Sequence, residues 1–183
     1  MENVISRGWS RGLLVGALAA ALVGGTAAAA QAGVDPALAA GTHRPATVVR
    51  PLDCSSIPST ADDNILRILR DVGNQRGVDD RVRLAEFETA WVESHANNLP
   101  CGDQDSIGVF QQRPSQGWGT YDQIMDPYYA TNKFLDYAIP TAADNTWMTA
   151  GQVAQAVQRS EYPDRYDEAQ GIAQDMINRS WGL

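Results

Sequence analysis

Hydrophobic residues recur every three or four positions along most of the chain after Cys54, which is the spacing of one buried face of an α-helix. Each segment with this period lies beside a residue type that commonly begins or ends a helix. No alternation of hydrophobic and polar residues is long enough to predict an extensive sheet. The pattern therefore predicts an all-α domain of about five helices.

Capping residues, glycines and prolines predict the ends of the first two helices. The first is expected to begin after the Ser-Thr pair at residues 59–60 and to end at Gly73 or Gly77. The second is expected to follow the Asp-Asp pair at residues 79–80 and to end before Pro100, because the residue before a proline disfavours helix.

Three further helices are predicted in the second half of the chain. One begins at the Asp-Pro pair at residues 126–127, with proline at the first helical position, and is limited by Pro140. The Thr-x-x-Gln capping box at residues 149–152 begins the next. The last follows Pro163, and its period places Tyr166 on the buried face.

A long polar segment, residues 101–122, separates the second and third predicted helices and is rich in Gly, Asp, Ser and Gln. Long loops inside compact domains are usually functional. Glu93 lies near the end of the preceding helix, beside Ala90, Trp91 and Val92. A carboxyl group in partly apolar surroundings has a raised pKa, as a general acid requires. The alternative is a solvated helix glutamate.

Three short segments carry a resemblance to a known family. Glu93 and Ser94 form a pair at a predicted helix end, an asparagine follows at Asn97 or Asn98, and residues 106–111 are Ser-Ile-Gly-Val-Phe-Gln. This order and spacing resemble the Glu-Ser, Asn and Ser-x-Gly-Leu-Met-Gln signature of soluble lytic transglycosylases and goose-type lysozymes, members of the lysozyme-like superfamily. The Ala-Tyr-Asn-x-Gly segment typical of the transglycosylases is absent.

The resemblance extends over the whole of residues 54–183. Residues 112–119 and 154–160 are similar to segments of small exported actinobacterial proteins that carry this domain. The resemblance implies a lysozyme-like helical domain with a long active-site loop.

The resemblance also implies cleavage of the β-1,4 bond between N-acetylmuramic acid and N-acetylglucosamine in peptidoglycan, without a cofactor. In a lytic transglycosylase, Glu93 would protonate the glycosidic oxygen and then deprotonate the muramyl 6-hydroxyl, which closes a 1,6-anhydro ring. A lysozyme-type hydrolase needs a second carboxylate, for which Asp103 and Asp105 are the nearest candidates. A non-catalytic glycan-binding or wall-associated module with the same shape is a third possibility.

Five residues are expected to contact the glycan. Ser106, Gly108 and Gln111 belong to the family signature, and an amide side chain can both donate to and accept from sugar groups. Trp118, flanked by glycines, is the best candidate for stacking on a sugar. Tyr162 lies where transglycosylases often supply a tyrosine to the cleft.

The N-terminal segment predicts export. Residues 1–32 combine two arginines, an apolar run and a small-x-small cleavage site, which is the pattern of a secretory signal peptide. Residues 33–53 are rich in Ala, Pro and Thr and predict a flexible linker. In an oxidising compartment the two cysteines, Cys54 and Cys101, are expected to form a disulfide. We expect a secreted, cell-wall-associated monomer that keeps no membrane span.

Charge and composition exclude several partners. The chain has 22 acidic and 14 basic residues. Residues 1–32 contain one acidic and two basic residues, so their removal leaves a net charge of −9. Such a protein repels polyphosphate, which argues against nucleic acid. With two histidines and paired cysteines, no metal site is expected. The acidity is also unusual for an enzyme that approaches an anionic cell wall.

Overall fold

The computed structural model describes residues 54–183, and the predicted signal peptide and linker lie outside them. The described residues form seven α-helices and a short 3₁₀ helix at Pro114–Gln116, with no strand among them. The α-helices are α1 (Asp63–Arg76), α2 (Asp80–Ser94), α3 (Tyr121–Ile124), α4 (Pro127–Asp144), α5 (Ala150–Gln158), α6 (Arg165–Glu168) and α7 (Gln170–Trp181). None of these helices is long and apolar enough to cross a membrane.

The all-α prediction is confirmed for these residues, and so are several helix ends. Asp79 caps α2 by accepting a hydrogen bond from the backbone of Val82 (2.8 Å). Thr149 and Gln152 form the predicted capping box at the start of α5. Helix α1 begins later than predicted because Asp62, rather than the Ser-Thr pair, caps it.

Two predicted boundaries are wrong. Pro140 does not end a helix, since α4 continues through it to Asp144. Pro140 and Asp136 are both exposed, so water can satisfy the Asp136 carbonyl group that loses its helical partner. The single helix predicted after Pro163 is divided into α6 and α7, which meet at Ala169.

Helix α2 lies at the centre of the domain and packs against α4, α5, α6 and α7. Because neighbours surround it, apolar residues such as Ala85 and Phe87, which are two positions apart and point to opposite sides of the helix, are both fully buried. This central position holds the last turn of α2, which contains Glu93, between the long loop and α6. The fold therefore places the sequence-predicted acid on its most enclosed helix.

A disulfide joins Cys54 to Cys101, as predicted. It connects the first described residue to the start of the long loop. Disulfides form and persist in oxidising environments, so this bond is typical of an exported protein.

Two glutamates of α2, Glu86 and Glu88, are completely buried, and their carboxylate oxygens have no hydrogen-bond partner among the described residues. Burial raises the pKa of Glu86 well above its ordinary value, although the nearby charge of Arg83 opposes this. Burial, with a smaller contribution from the negative charge of Asp167, raises the pKa of Glu88 to about 8. Both groups therefore favour the protonated form in the folded protein.

Because Glu88 is buried, we expect the free energy of unfolding to fall as the pH rises. The unfolded chain releases this proton near pH 4.5, whereas the folded chain holds it to about pH 8. Glu88 alone should therefore lower the free energy of unfolding by about 3 kcal/mol between pH 4.5 and pH 7. Denaturant unfolding across this range should show a shallower pH dependence for Glu88→Gln. The exposed Glu168→Gln is the control, and equal slopes in wild type and Glu88→Gln would contradict the assignment.

Candidate active site

Glu93 is half-buried in the last turn of α2, where Tyr166 of α6 meets it. The Tyr166 hydroxyl donates a hydrogen bond of 2.6 Å to Glu93 Oε1. Burial raises the pKa of the Glu93 carboxyl group above its ordinary value. The hydrogen bond from Tyr166, the nearby Gln158 amide and the positive charge of Arg165 oppose this shift but do not cancel it. The Gln158 amide itself donates to the Phe110 carbonyl oxygen (2.8 Å). The site thus keeps a larger fraction of Glu93 protonated near neutral pH, as a general acid needs.

A cleft of about 620 Å³ opens in front of Glu93. Four of the sequence-predicted site residues line it together: Glu93, Ser106, Gln111 and Trp118. The other lining residues are Gln112, Arg113, Gln116, Gly117, Tyr137, Thr141, Ala156, Val157, Gln158, Arg159, Ser160 and Tyr166. An open cleft beside a carboxyl group with a raised pKa is an arrangement typical of enzyme sites.

The long loop is anchored to the end of α2 rather than being free. The Ser94 hydroxyl donates a hydrogen bond of 2.6 Å to the Val109 carbonyl oxygen. Val109 and Phe110 are fully buried, and Phe110 stacks on Phe134 of α4 with ring centroids 5.0 Å apart. These contacts hold the following residue, Gln111, at the cleft.

Gln111 has a left-handed backbone conformation, with φ of 46°. Its amide Nε2 donates to the carbonyl oxygens of Cys101 (3.1 Å) and Gly108 (3.2 Å). Trp118 is half-buried and packs edge-on against Tyr137, with ring centroids 5.2 Å apart. An amide and two aromatic rings therefore lie along the same cleft as Glu93.

Two predicted site residues do not line the cleft. Gly108 lies against Ile124 instead, where a Cβ atom would be 2.8 Å from the Ile124 carbonyl oxygen, and its φ of 79° favours glycine. Its position is explained by this close approach of two backbone segments. Tyr162 is 62% exposed and its ring lies beside Arg165.

Neither candidate for a second carboxylate lies in the cleft. Asp103 is exposed in the loop. Asp105 accepts hydrogen bonds from Arg113 Nε (2.6 Å) and from the backbone of Ser115 (2.8 Å). Partial burial would raise the pKa of Asp105, but these hydrogen bonds outweigh it and lower the pKa to about 2. Among the described residues that line the cleft, Glu93 has the one carboxyl group.

Sequence reasoning missed the role of Tyr166. The helical period correctly predicts that it is buried, and the side chain is completely so. Burial and the neighbouring Glu93 raise its own pKa, so the hydroxyl group remains a donor. The two residues are 73 positions apart, and periodicity carries no information on such a pairing.

No group of three or more His, Cys, Asp or Glu side chains that could hold a metal ion is present within residues 54–183. No protein-family model matches the chain, and no curated protein matches it significantly.

Removal of the Tyr166 hydroxyl group is expected to change the pKa of Glu93. The hydrogen bond stabilises the ionised carboxylate, so Tyr166→Phe should raise the pKa of Glu93 further. It should also lower the free energy of unfolding by about 1 kcal/mol. Carbon NMR titration of the Glu93 carboxyl group measures the first effect directly. Tyr162→Phe is the matched control, and an unchanged or lowered Glu93 pKa in Tyr166→Phe would contradict the assignment.

Proposed function

We propose that the protein cleaves the β-1,4 bond between N-acetylmuramic acid and N-acetylglucosamine in peptidoglycan, as an exported enzyme of the lysozyme-like type. The observation that carries the proposal is the position of Glu93, whose partly buried carboxyl group has a raised pKa and lines a large polar cleft. The resemblance of Glu93-Ser94 and residues 106–111 to the lytic transglycosylase signature supports the same substrate class.

In the proposed mechanism Glu93 first acts as a general acid. Its proton goes to the glycosidic oxygen while the bond from that oxygen to the muramyl C1 breaks, which leaves an oxocarbenium-like sugar. The resulting Glu93 carboxylate then accepts the proton of the muramyl 6-hydroxyl group, and this oxygen bonds to C1. The product is a 1,6-anhydro sugar, and the carboxyl group is regenerated.

Tyr166 supports both steps. Its hydroxyl group donates a hydrogen bond to Glu93 Oε1 and so stabilises the charged form after the first proton transfer. Burial acts in the opposite direction and favours the protonated form that begins the cycle. The two influences keep the carboxyl group able to give and to take a proton, as one residue in both roles requires.

The lytic transglycosylase is favoured over the hydrolase because the cleft, as lined by the described residues, offers Glu93 alone as a carboxyl group. An inverting hydrolase places a second carboxylate about 6.5–9.5 Å from the acid to activate water, and a retaining hydrolase places one about 5–5.5 Å away. The third candidate, a non-catalytic glycan-binding module, is favoured by the acidity of the chain alone.

Digestion of purified peptidoglycan in heavy-oxygen water distinguishes the three candidates. Transglycosylation should release fragments with 1,6-anhydromuramic ends that contain no heavy oxygen. Hydrolysis would release reducing ends that carry one heavy oxygen atom, and a binding module would release nothing. Labelled reducing ends, or no soluble product, would contradict the proposed reaction.

A further inference from the structure

Arg159 is a cation in the cleft that the proposed mechanism does not use. It caps the C-terminus of α5, it is exposed, and it lines the same cleft as Glu93. Its guanidinium group makes no ion pair or hydrogen bond with the described residues, whereas four other arginines of the domain form ion pairs. A long charged side chain at the edge of a cleft is thus left available to a ligand.

The backbone of Arg159 ends α5 in a left-handed conformation, as His95 ends α2. Arg159 has a φ of 57° and a ψ of 42°, the left-handed conformation that glycine adopts at helix ends with less strain. Non-glycine residues in this region cluster at functional sites. Gln111, which also lines the cleft, has the same kind of conformation, as do His95, Ala96 and Gln104, which do not line it.

The charges along the cleft differ from those of the domain as a whole. Residues 54–183 contain 19 acidic and 10 basic residues, a net charge of −9. The charged residues that line the cleft are Glu93, Arg113 and Arg159. Asp105 pairs with Arg113 at 2.6 Å and compensates its charge, which leaves Arg159 as the uncompensated cation. Arg159 therefore offers a local positive charge to an anionic group in the cleft even though the protein is acidic.

We propose that Arg159 binds a carboxylate carried by the muramyl residue of the substrate. This inference rests on the proposed function, and it defines the substrate as a glycan with acidic substituents rather than a neutral N-acetylglucosamine polymer. The planar guanidinium group can donate two parallel hydrogen bonds to a carboxylate. Such a carboxylate belongs either to the lactyl group of muramic acid or to the peptide attached to it, and both have the same recognition chemistry.

Binding measurements on a Glu93→Gln background test the proposal without cleavage of the ligand. Three ligands are compared. Chito-oligosaccharide has no carboxylate, and glycan strands freed of peptides by an amidase have a free lactyl carboxylate. In strands that retain their peptides the lactyl group is an amide, and the carboxylates belong to the peptide. Adding Arg159→Gly should weaken binding of a carboxylate-bearing ligand by about tenfold or more and leave chito-oligosaccharide binding unchanged. Glycine suits the left-handed backbone, so the thermal midpoint should not fall.

Each outcome of this comparison has a defined meaning. Weakening only with the amidase-treated strands identifies the lactyl carboxylate, weakening only with peptide-bearing strands identifies a peptide carboxylate, and weakening with both shows that Arg159 accepts either group. An equal effect on all three ligands, no effect, or no binding of either muramyl ligand by the Glu93→Gln protein overturns the proposal. Arg67→Ala, on α1, is the control for a general loss of positive charge. A wild-type protein that binds these ligands without cleaving them would refute the proposed reaction while leaving the role of Arg159 intact.

Discussion

Glu93→Gln is expected to lower the release of soluble fragments from peptidoglycan at least about 100-fold, the usual contribution of a positioned general acid. Glutamine has nearly the same shape as glutamate, and its amide oxygen can still accept the hydrogen bond from Tyr166. It has no acidic proton to give to the glycosidic oxygen and cannot act as the base that follows. The measurement is the initial rate of fragment release at equal protein concentration, together with the thermal midpoint of each variant.

The control for this change is Glu168→Gln, which removes an exposed carboxylate from α6 close in sequence to Tyr166. It should retain the wild-type rate. A Glu93→Gln protein that remains folded and keeps more than a small fraction of the activity would remove Glu93 from the mechanism. An equal loss in both variants would point instead to a general effect of negative charge.

Replacing Cys54 and Cys101 by serine is expected to lower the free energy of unfolding by up to about 4 kcal/mol, since the disulfide closes a long loop in the unfolded chain. The two residues are 47 positions apart. The effect should extend to the cleft, because the Cys101 carbonyl oxygen accepts a hydrogen bond from the Gln111 side chain. Denaturant unfolding gives the change in stability, and the glycan-binding assay gives the change at the cleft.

Reduction of the wild-type protein is the matched control for the double serine variant. Reduced wild type and the variant should unfold at the same denaturant concentration, below that of the oxidised protein. The reduced protein keeps both cysteine side chains and lacks only the disulfide bond. This comparison therefore separates the effect of the cross-link on stability from the effect of replacing cysteine by serine. Equal stability of the oxidised and reduced forms would contradict the prediction.

Local signals in the sequence predicted the helices best where a cap chemically defines the end. Thr149 and Gln152 satisfy each other's backbone groups, and this reciprocal pair was visible from the sequence. The helix end predicted at Pro140 was wrong because water can replace the hydrogen bond that this exposed proline removes. Whether Pro140 is exposed depends on how α4 packs against the rest of the domain. Solvent exposure is a tertiary property that no local pattern contains.

The candidate site was partly predictable because its signature residues lie near one another in sequence. Glu93, Ser106, Gln111 and Trp118 occur within 26 positions and line one cleft. Tyr166 lies on α6 and Arg159 at the end of α5, and both helices line the same cleft because they pack against α2. Similarly, the acidity of the whole chain did not predict the charge in the cleft, because pairing of Arg113 with Asp105 leaves Arg159 as the uncompensated cation.

The most direct test of a glycan-cleaving site at Glu93 is mass spectrometry of the fragments released from purified peptidoglycan by wild-type protein and by Glu93→Gln in parallel. The proposed mechanism predicts 1,6-anhydromuramyl fragments from the wild type and none above background from the variant. No fragments from the folded wild-type protein, or the same fragments from both proteins, would contradict it.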